Sequence, residues 1–308
     1  MTRGGRVHTI VAANHTLRIK KSESQVGQNN QRGVPSAKVV GVRNNQGMAV
    51  VTGIYLLYLF TPIILLFVGS FGESWTNSLL PSGFTFDSYL ELWEDASFRR
   101  AFVVSLEVVV ATCVICSAIA VPLAYALYNS ASRGVMVAAR IVFLLPIAVP
   151  PLVLAFGFIL IFSTDALPWL GSLWLLIAGH VVLTLPYLLQ TLVADMRHLG
   201  LDALELAAES LGASFSARFR DIVVPMLRHS LGSGLIMVAA LSIGEFQLSN
   251  LIAGFLYRPY PVVLLQAFYG ATGFACAATV VLLTLAITAA AGGAFAARSA
   301  SSYRQKAA

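Results

Sequence analysis

The sequence predicts an all-α, polytopic membrane protein with six transmembrane helices. Three observations carry that expectation. The 308 residues are 57% hydrophobic and only 11% charged, whereas soluble domains are about a quarter charged. Six apolar runs are each long enough to cross a hydrocarbon core of about 30 Å, which takes roughly 20 helical residues. The charged residues gather between those runs, and basic connections alternate with basic-poor ones. The net charge of +6 therefore does not point to nucleic acid; it is spread over a tail and short connections, as orientation by positive charge on the cytoplasmic side requires.

Residues 1–47 hold eight of the 20 Lys and Arg against one acidic residue, Glu23. Rich in Gly, Asn, Gln and Ser, they read as a flexible basic cytoplasmic tail; the alternative is a true start near Met48. The first apolar run begins only at Met48 and is long enough to span, so it is not a secretory signal. The spans are placed at Met48–Ser70, Phe102–Tyr128, Ala138–Ser163, Leu170–Ala194, Ser230–Ala253 and Phe274–Ala297, giving a membrane domain over 48–297 and a short tail over 298–308.

The connections assign the sides. Loop 71–101 carries Glu73, Asp87, Glu91, Glu94 and Asp95 against Arg99 and Arg100, and its length suits a helix over Phe86–Glu94 lying on the outer face. Connection 129–137 has Arg133, with Arg140 just beyond; 164–169 has only Asp165; 195–229 carries Arg197, Arg218, Arg220 and Arg228; 254–273 has only Arg258. Both termini and the 195–229 loop are thus expected in the cytoplasm. The segment Tyr257–Gly270 is aromatic and punctuated by Pro, and reads either as an interfacial anchor or as part of an outer gate.

Several spans are interrupted, by Pro146, Pro150, Pro151 and Gly157 in the third, Pro186 in the fourth, and Gly232, Gly234 and Gly244 in the fifth. Backbone groups freed in lipid need neighbouring helices or a watery cavity, so these breaks suit either a central pathway or ordinary kinks. An ionisable residue inside a span is a functional candidate. Glu245 in the fifth span, followed by Gln247 and Asn250, reads as a pathway lining or as a structural carboxylate; His180 in the fourth reads as a packing residue or a pathway residue. Cys113 and Cys116 form a C-x-x-C inside an apolar run with no His nearby, which fits packing better than metal or redox chemistry. No cluster has metal-site spacing, and no cofactor is expected.

The most informative stretch is Leu206–Pro225, LAAESLGASFSARFRDIVVP. Leu204, Ala207, Ala208 and Leu211 recur at helical spacing, so a short amphipathic helix is expected over Asp202–Leu211, with Asp202 as N-cap and Glu205 completing a capping box. Glu205 and Glu209 share a face. Gly212 then ends the helix in the left-handed conformation. A second helix is expected through Phe215–Val223, and Pro225 closes the loop and opens the fifth span. Phe215 and Phe219 supply apolar anchors, and the small Ala207 and Ala208 allow close approach of a partner.

This stretch resembles the cytoplasmic coupling loop of ABC importer permeases, whose pattern is roughly E-A-A-x-x-x-G-x(9)-I-x-L-P. The resemblance extends over nearly all of 48–297, including PLAYAL (Pro122–Leu127), LLPIAVPPLVLAFGF (Leu144–Phe158) and SIGEF (Ser242–Phe246). It implies a MetI-like permease fold in the bacterial inner membrane. It also implies an ABC ATPase dimer gripping Glu205, Ala207, Ala208, Glu209, Gly212, Phe215, Phe219 and Pro225, a second permease subunit, identical or homologous, and an extracytoplasmic solute-binding protein. The chain departs from the pattern at Leu206, where the family has Glu. SFGESW (Ser70–Trp75), the GEF segment and YPVVLLQAFYG (Tyr260–Gly270) look most like permeases for polyamines, opines, phosphonates and ferric iron.

Missing motifs narrow the class. No G-x-x-x-x-G-K-[ST] is present to cradle nucleotide phosphates, so this chain is not expected to be an enzyme and ATP is expected on a partner. The competing class is a stand-alone secondary transporter, which would commonly show internal repeats with matching broken helices; none is evident.

Overall fold

The computed structural model describes residues 45–73, 81–130, 132–270 and 272–307. Most of the expected N-terminal tail, and Trp75 of the outer loop, lie outside them. Two compact units divide the chain at Phe60. In the first, residues 45–60 are the opening part of helix α1 (Asn45–Gly69), whose side chains from Met48 to Phe60 are all exposed, as a lipid-facing helix allows.

Among the described residues the second unit is built of helices and the turns that join them. After α1 come α2 (Asp87–Glu94), α3 (Ala96–Tyr128), α4 (Arg133–Ala148), α5 (Pro151–Phe162), α6 (Leu173–Leu199), α7 (Leu201–Ser210), α8 (Phe215–Arg218), α9 (Val224–Ile243), α10 (Gln247–Ile252), α11 (Tyr260–Phe268) and α12 (Thr272–Ala307). Caps set several of these boundaries. Asp95 Oδ1 accepts the Ser97 and Phe98 N–H groups at 2.7 and 3.0 Å to start α3. Ser132 and Ser172 open α4 and α6 in the same way. Each cap satisfies donors that a helix start leaves orphaned. Helix α2 matches the outer-loop helix expected over Phe86–Glu94.

Helices α3, α6 and α9 form the heart of the bundle. Val108, Cys116 and Ala120 of α3 meet Leu176, Leu188 and Leu192 of α6 and Val238 of α9 in one buried cluster. Small residues let the rods approach, as expected where lipid removes the hydrophobic drive between helices. A Cβ on Gly234 would lie 2.5 Å from Leu188 Cδ1, and one on Gly179 would lie 2.7 Å from Leu248 Cδ2. Both cysteines of the C-x-x-C sit in such contacts, Cys116 Sγ 3.5 Å from Thr184 Oγ1 and Cys113 Sγ 3.9 Å from the Leu235 carbonyl.

The six expected spans are only partly realised as single rods. Among the described residues, four helical stretches are long and apolar enough to cross a membrane: Gly47–Gly69, Ala96–Tyr128, Leu173–Leu199 and Phe215–Ile243. The third expected span is two helices, α4 and α5, bent by 100°. Pro150 has no N–H to continue α4, and Val149 before it is extended (φ −85°, ψ 125°), which is where proline pushes its predecessor. The last span begins with an apolar segment, Thr272–Thr288, inside the longer α12.

The fifth expected span, Ser230–Ala253, is corrected. Its helix stops at Ile243, and a short separate helix, α10, follows. Helix α10 packs on α5, so the two broken pieces support each other. A backbone clasp joins the next turn to the far side of the break: the Gly171 N–H donates to the Ile252 carbonyl at 3.1 Å. Gly171 has φ +83°, and a Cβ on Gly254 would fall 2.2 Å from the Gly171 oxygen; only two glycines permit this crossing.

Tyr257–Gly270, read either as an anchor or as part of an outer gate, contains a packed helix. Helix α11 packs on α3 and α12, Tyr260 is buried, and its hydroxyl donates to the Ala278 carbonyl at 2.8 Å. Tyr257 and, toward the end of the segment, Leu265, Phe268 and Tyr269 are exposed.

Candidate functional site

Two polar constructions stand out: a hairpin at one end of the bundle and a cluster inside it. The hairpin is α7 and α8 with the turn between them. Gly200, in the left-handed conformation at φ +62°, both ends α6 and precedes α7. It takes the place expected of Asp202, which is instead an exposed first-turn residue, and no side chain caps α7. The far end is as expected. Gly212 has φ +83°, and the Ala213 N–H reaches back to the Ala208 carbonyl at 3.0 Å while Gly212 N–H reaches Glu209 at 2.9 Å. That pair of bonds is the Schellman closure of a helix C-terminus. Ser214 then caps α8, accepting the Ala217 N–H at 3.4 Å.

Beyond α8 the chain does not break at Pro225. It passes through one π turn, Phe219–Val223, directly into α9, so Phe215–Ile243 is one continuous helix. The Val224 N–H bonds five residues back, to Phe219. This wider turn sits just before Pro225, whose missing N–H and bulky ring would disrupt an ordinary helical turn. The hairpin is therefore welded to a span, and Pro225 lies exposed on its side.

A second weld is made by Tyr125, near the end of α3. Its hydroxyl donates to Glu205 Oε2 at 3.0 Å, and its ring lies 5.8 Å from that of Phe215 and 5.3 Å from that of Phe219. Glu205 is buried and turned inward, so it does not stand beside Glu209 on an outer face. Glu209 instead pairs with Arg218 at 2.7 Å across the turn, joining α7 to α8. Ser230 of α9 donates to Asp195 of α6, a further brace behind the hairpin. An open groove of about 670 Å³ runs between α3 and the hairpin, past Tyr125, Glu205, Glu209, Phe215 and Arg218. Ala207 is exposed and Ala208 half-buried. The outward face belongs to apolar residues: Leu206 is 71% exposed and Leu211 88% exposed.

The second construction centres on the break in the fifth span. Glu245 Oε1 accepts the Leu248 N–H at 2.8 Å, and Oε2 accepts the Ser249 N–H at 2.9 Å and the Ser249 hydroxyl at 2.7 Å. The carboxylate thus caps α10. His180 of α6 is buried between two hydroxyls, Nδ1 2.7 Å from Ser242 and Nε2 2.9 Å from Ser249, with Nε2 3.9 Å from Glu245 Oε2. A cavity of about 180 Å³ opens beside them, lined also by Pro146, Val149, Pro151 and Tyr187. The proline break of α4–α5, the break at Gly244–Glu245 and the buried His180 therefore meet at one place. Gln247 and Asn250 do not join it; both are exposed. Among the described residues no group of His, Cys, Asp and Glu is arranged to hold a metal ion.

Sequence reasoning named Glu205, Gly212, Phe215 and Phe219 but missed Tyr125, which organises three of them. Its one signal was a hydroxyl-bearing aromatic at the end of a span, within PLAYAL. Arg218, counted only for orientation, and Ser242 and Ser249 were missed as well.

No protein-family model matches the chain. Curated relatives do. A protein described as a 2-aminoethylphosphonate transport system permease in Salmonella typhimurium is 27% identical over 240 residues, 76% of this chain and 87% of that one. The spermidine/putrescine transport system permease protein PotC of Escherichia coli is 29% identical over 211 residues, 68% and 78% of the two chains. The ABC transporter permease protein y4fN of Sinorhizobium fredii is 30% identical over 79% of this chain and 44% of its own, longer length. In fold, a chain of a bacterial ABC transporter involved in the import of the acidic polysaccharide alginate superposes with a TM-score of 0.67 over 82% of this chain and 94% of that chain, at 16% identity. The alginate transporter complexed with its pentasaccharide-bound periplasmic protein gives 0.65 over 80% and 91%, at 17% identity.

Proposed function

We propose that this chain, which belongs to the ABC transporter permeases, lies in a bacterial inner membrane with both termini in the cytoplasm and moves a small polar solute inward. A separate ATPase drives it through the α7–α8 hairpin. The single observation that carries this reading is the construction of that hairpin. It is fused to α9 through a π turn, tied to α3 through Tyr125, and presents Leu206 and Leu211 outward. A rigid body of that kind transmits displacement, which a slack loop does not. With a second permease, identical or homologous, the chain would enclose the pathway at the subunit interface. An extracytoplasmic binding protein would deliver solute, and closure of an ATPase dimer would swing the hairpins together.

The substrate class follows from the cluster at the break and from the relatives. Glu245 places a carboxylate against a cavity inside the bundle. The relatives named for 2-aminoethylphosphonate and for spermidine/putrescine handle solutes that share a primary ammonium group, which a buried carboxylate attracts. A polyamine or an amine-bearing phosphonate is therefore the proposed cargo. The test is reconstitution with the cognate ATPase and binding protein, measuring uptake of putrescine and of 2-aminoethylphosphonate. ATP-dependent uptake of either supports the reading. Transport by the chain alone, driven by an ion gradient and indifferent to ATP, would make it a secondary carrier.

A further inference from the structure

The cavity between α4 and α6 has no part in the docking or the pathway described above. It encloses about 470 Å³ at the end of the bundle that carries the hairpin. Arg133, Arg140 and Arg197 line it, with Gln190 as a further donor. Arg133 is the first residue of α4 and Arg140 lies two turns deeper, about 10 Å along the axis. Arg197 faces them from the last turn of α6. The remaining wall is apolar: Leu127, Val137, Phe143, Leu144, Leu189 and Val193.

Three guanidinium groups around one cavity repel one another unless an anion joins them. Among the described residues, no carboxylate lies within ion-pair distance of any of the three; the ion pairs involve other residues. Among the described residues, the one polar contact of the Arg197 side chain is with the Met136 sulfur, at 3.9 Å, a weak acceptor. Each guanidinium thus keeps its forked donors for an oxyanion, the geometry in which Arg binds phosphate.

We propose that this cavity is a binding site for an anionic phospholipid. The headgroup phosphate is held by Arg133, Arg140 and Arg197, and an acyl chain lies along Leu144, Leu189 and Val193. The apolar wall decides between sources of phosphate, since a soluble anion gains nothing from it while a lipid tail buries against it. Basic pockets between membrane helices are the recurring form of such sites. An occupant would bridge α4 to α6 three residues before Gly200, where the hairpin begins.

The test uses the intact transporter complex in nanodiscs of equal phosphatidylglycerol and phosphatidylcholine, with retained lipid counted by mass spectrometry after detergent washing. Wild type is expected to keep phosphatidylglycerol preferentially. Each single Arg→Gln change should weaken its retention about fivefold, and the triple Arg133→Gln, Arg140→Gln, Arg197→Gln variant roughly a hundredfold. All three side chains are exposed to the cavity or solvent, so the variants keep the fold, which an unchanged melting curve in phosphatidylcholine alone would verify. Equal retention of the two lipids, or a triple variant that holds phosphatidylglycerol as well as wild type, overturns the proposal. Displacement of the lipid by millimolar inorganic phosphate also overturns it, showing a soluble-anion site instead.

Discussion

The α7–α8 hairpin and the Glu245–His180 cluster are built from similar residues used in opposite senses. In the hairpin the carboxylate of Glu205 turns inward to Tyr125 while leucines face out. In the cluster the polar groups turn to one another beside a cavity: Glu245 takes three hydrogen bonds and His180 has a hydroxyl at each nitrogen. One region uses its polar contacts for rigidity and leaves leucines exposed. The other spends them on mending a backbone break inside the membrane, where unsatisfied groups are costly. A substitution should therefore separate stability from coupling in the hairpin and leave the two inseparable in the cluster.

The largest separation is expected at Gly212. At φ +83° proline is geometrically excluded, because its ring fixes φ near −65°. Gly212→Pro should cut ATP-driven uptake by more than about tenfold, since it unseats a helix cap on which the docking geometry depends, while membrane insertion stays intact. Uptake assays beside a membrane-fraction blot measure both. Nothing lies within 4 Å of a Cβ at Gly212, so the loss is expected from the forbidden φ and from removal of the Gly212 N–H bond to Glu209.

In the cluster, Glu245→Ala should lower stability and transport together. It removes a charged cap and orphans two backbone donors, at a cost of about 2–4 kcal/mol. Thermal unfolding in detergent reads the first effect and uptake the second. A stable, inactive variant would instead assign Glu245 to the pathway alone and break the comparison. Tyr125→Phe is expected to be milder. It leaves the buried Glu205 carboxylate with neither oxygen paired, since Oε1 already lacks a partner among the described residues, at about 1–3 kcal/mol. Because the aromatic contacts survive, coupling should fall a few-fold and not vanish. The smallest effect on stability is expected at the outward face. Leu206→Ser with Leu211→Ser touches nothing buried and should shift unfolding by less than about 0.5 kcal/mol, yet weaken ATPase capture in a pull-down.

Much of the hairpin was legible in the sequence because its determinants are local. Gly212 closes a helix within five residues, and the turn needs no long-range contact to form. The boundaries were less so. Gly200 displaces Asp202 as the start of α7 because α6 and α7 share one left-handed residue, a junction that periodicity does not register. Continuity through Pro225 depends on a π turn, and no residue type announces one. The cluster was legible only as separate pieces. Glu245, His180 and the prolines at 146–151 each read ambiguously, because what settles them is packing of α5 against α10 and of α6 against α9. Gly244 marked the fifth span as interrupted, but hydropathy still ran the span through to Ala253; that the helix stops there depends on a carboxylate folding back onto its own backbone. Tyr125 had no local reason to be singled out, as its partner is 80 residues away.

The central claim, that the hairpin is the handle by which an ATPase moves this bundle, is tested most directly by crosslinking. A Leu206→Cys variant carries an exposed thiol at that face, while the native Cys116 and Cys276 are buried and Cys113 is half-buried. In the complex purified from native membranes, a short thiol crosslinker should join position 206 to the nucleotide-hydrolysing subunit, with the yield changing when ATP is bound. Labelling of position 206 by an impermeant reagent added outside intact cells, or a functional complex containing no nucleotide hydrolase, would contradict the claim.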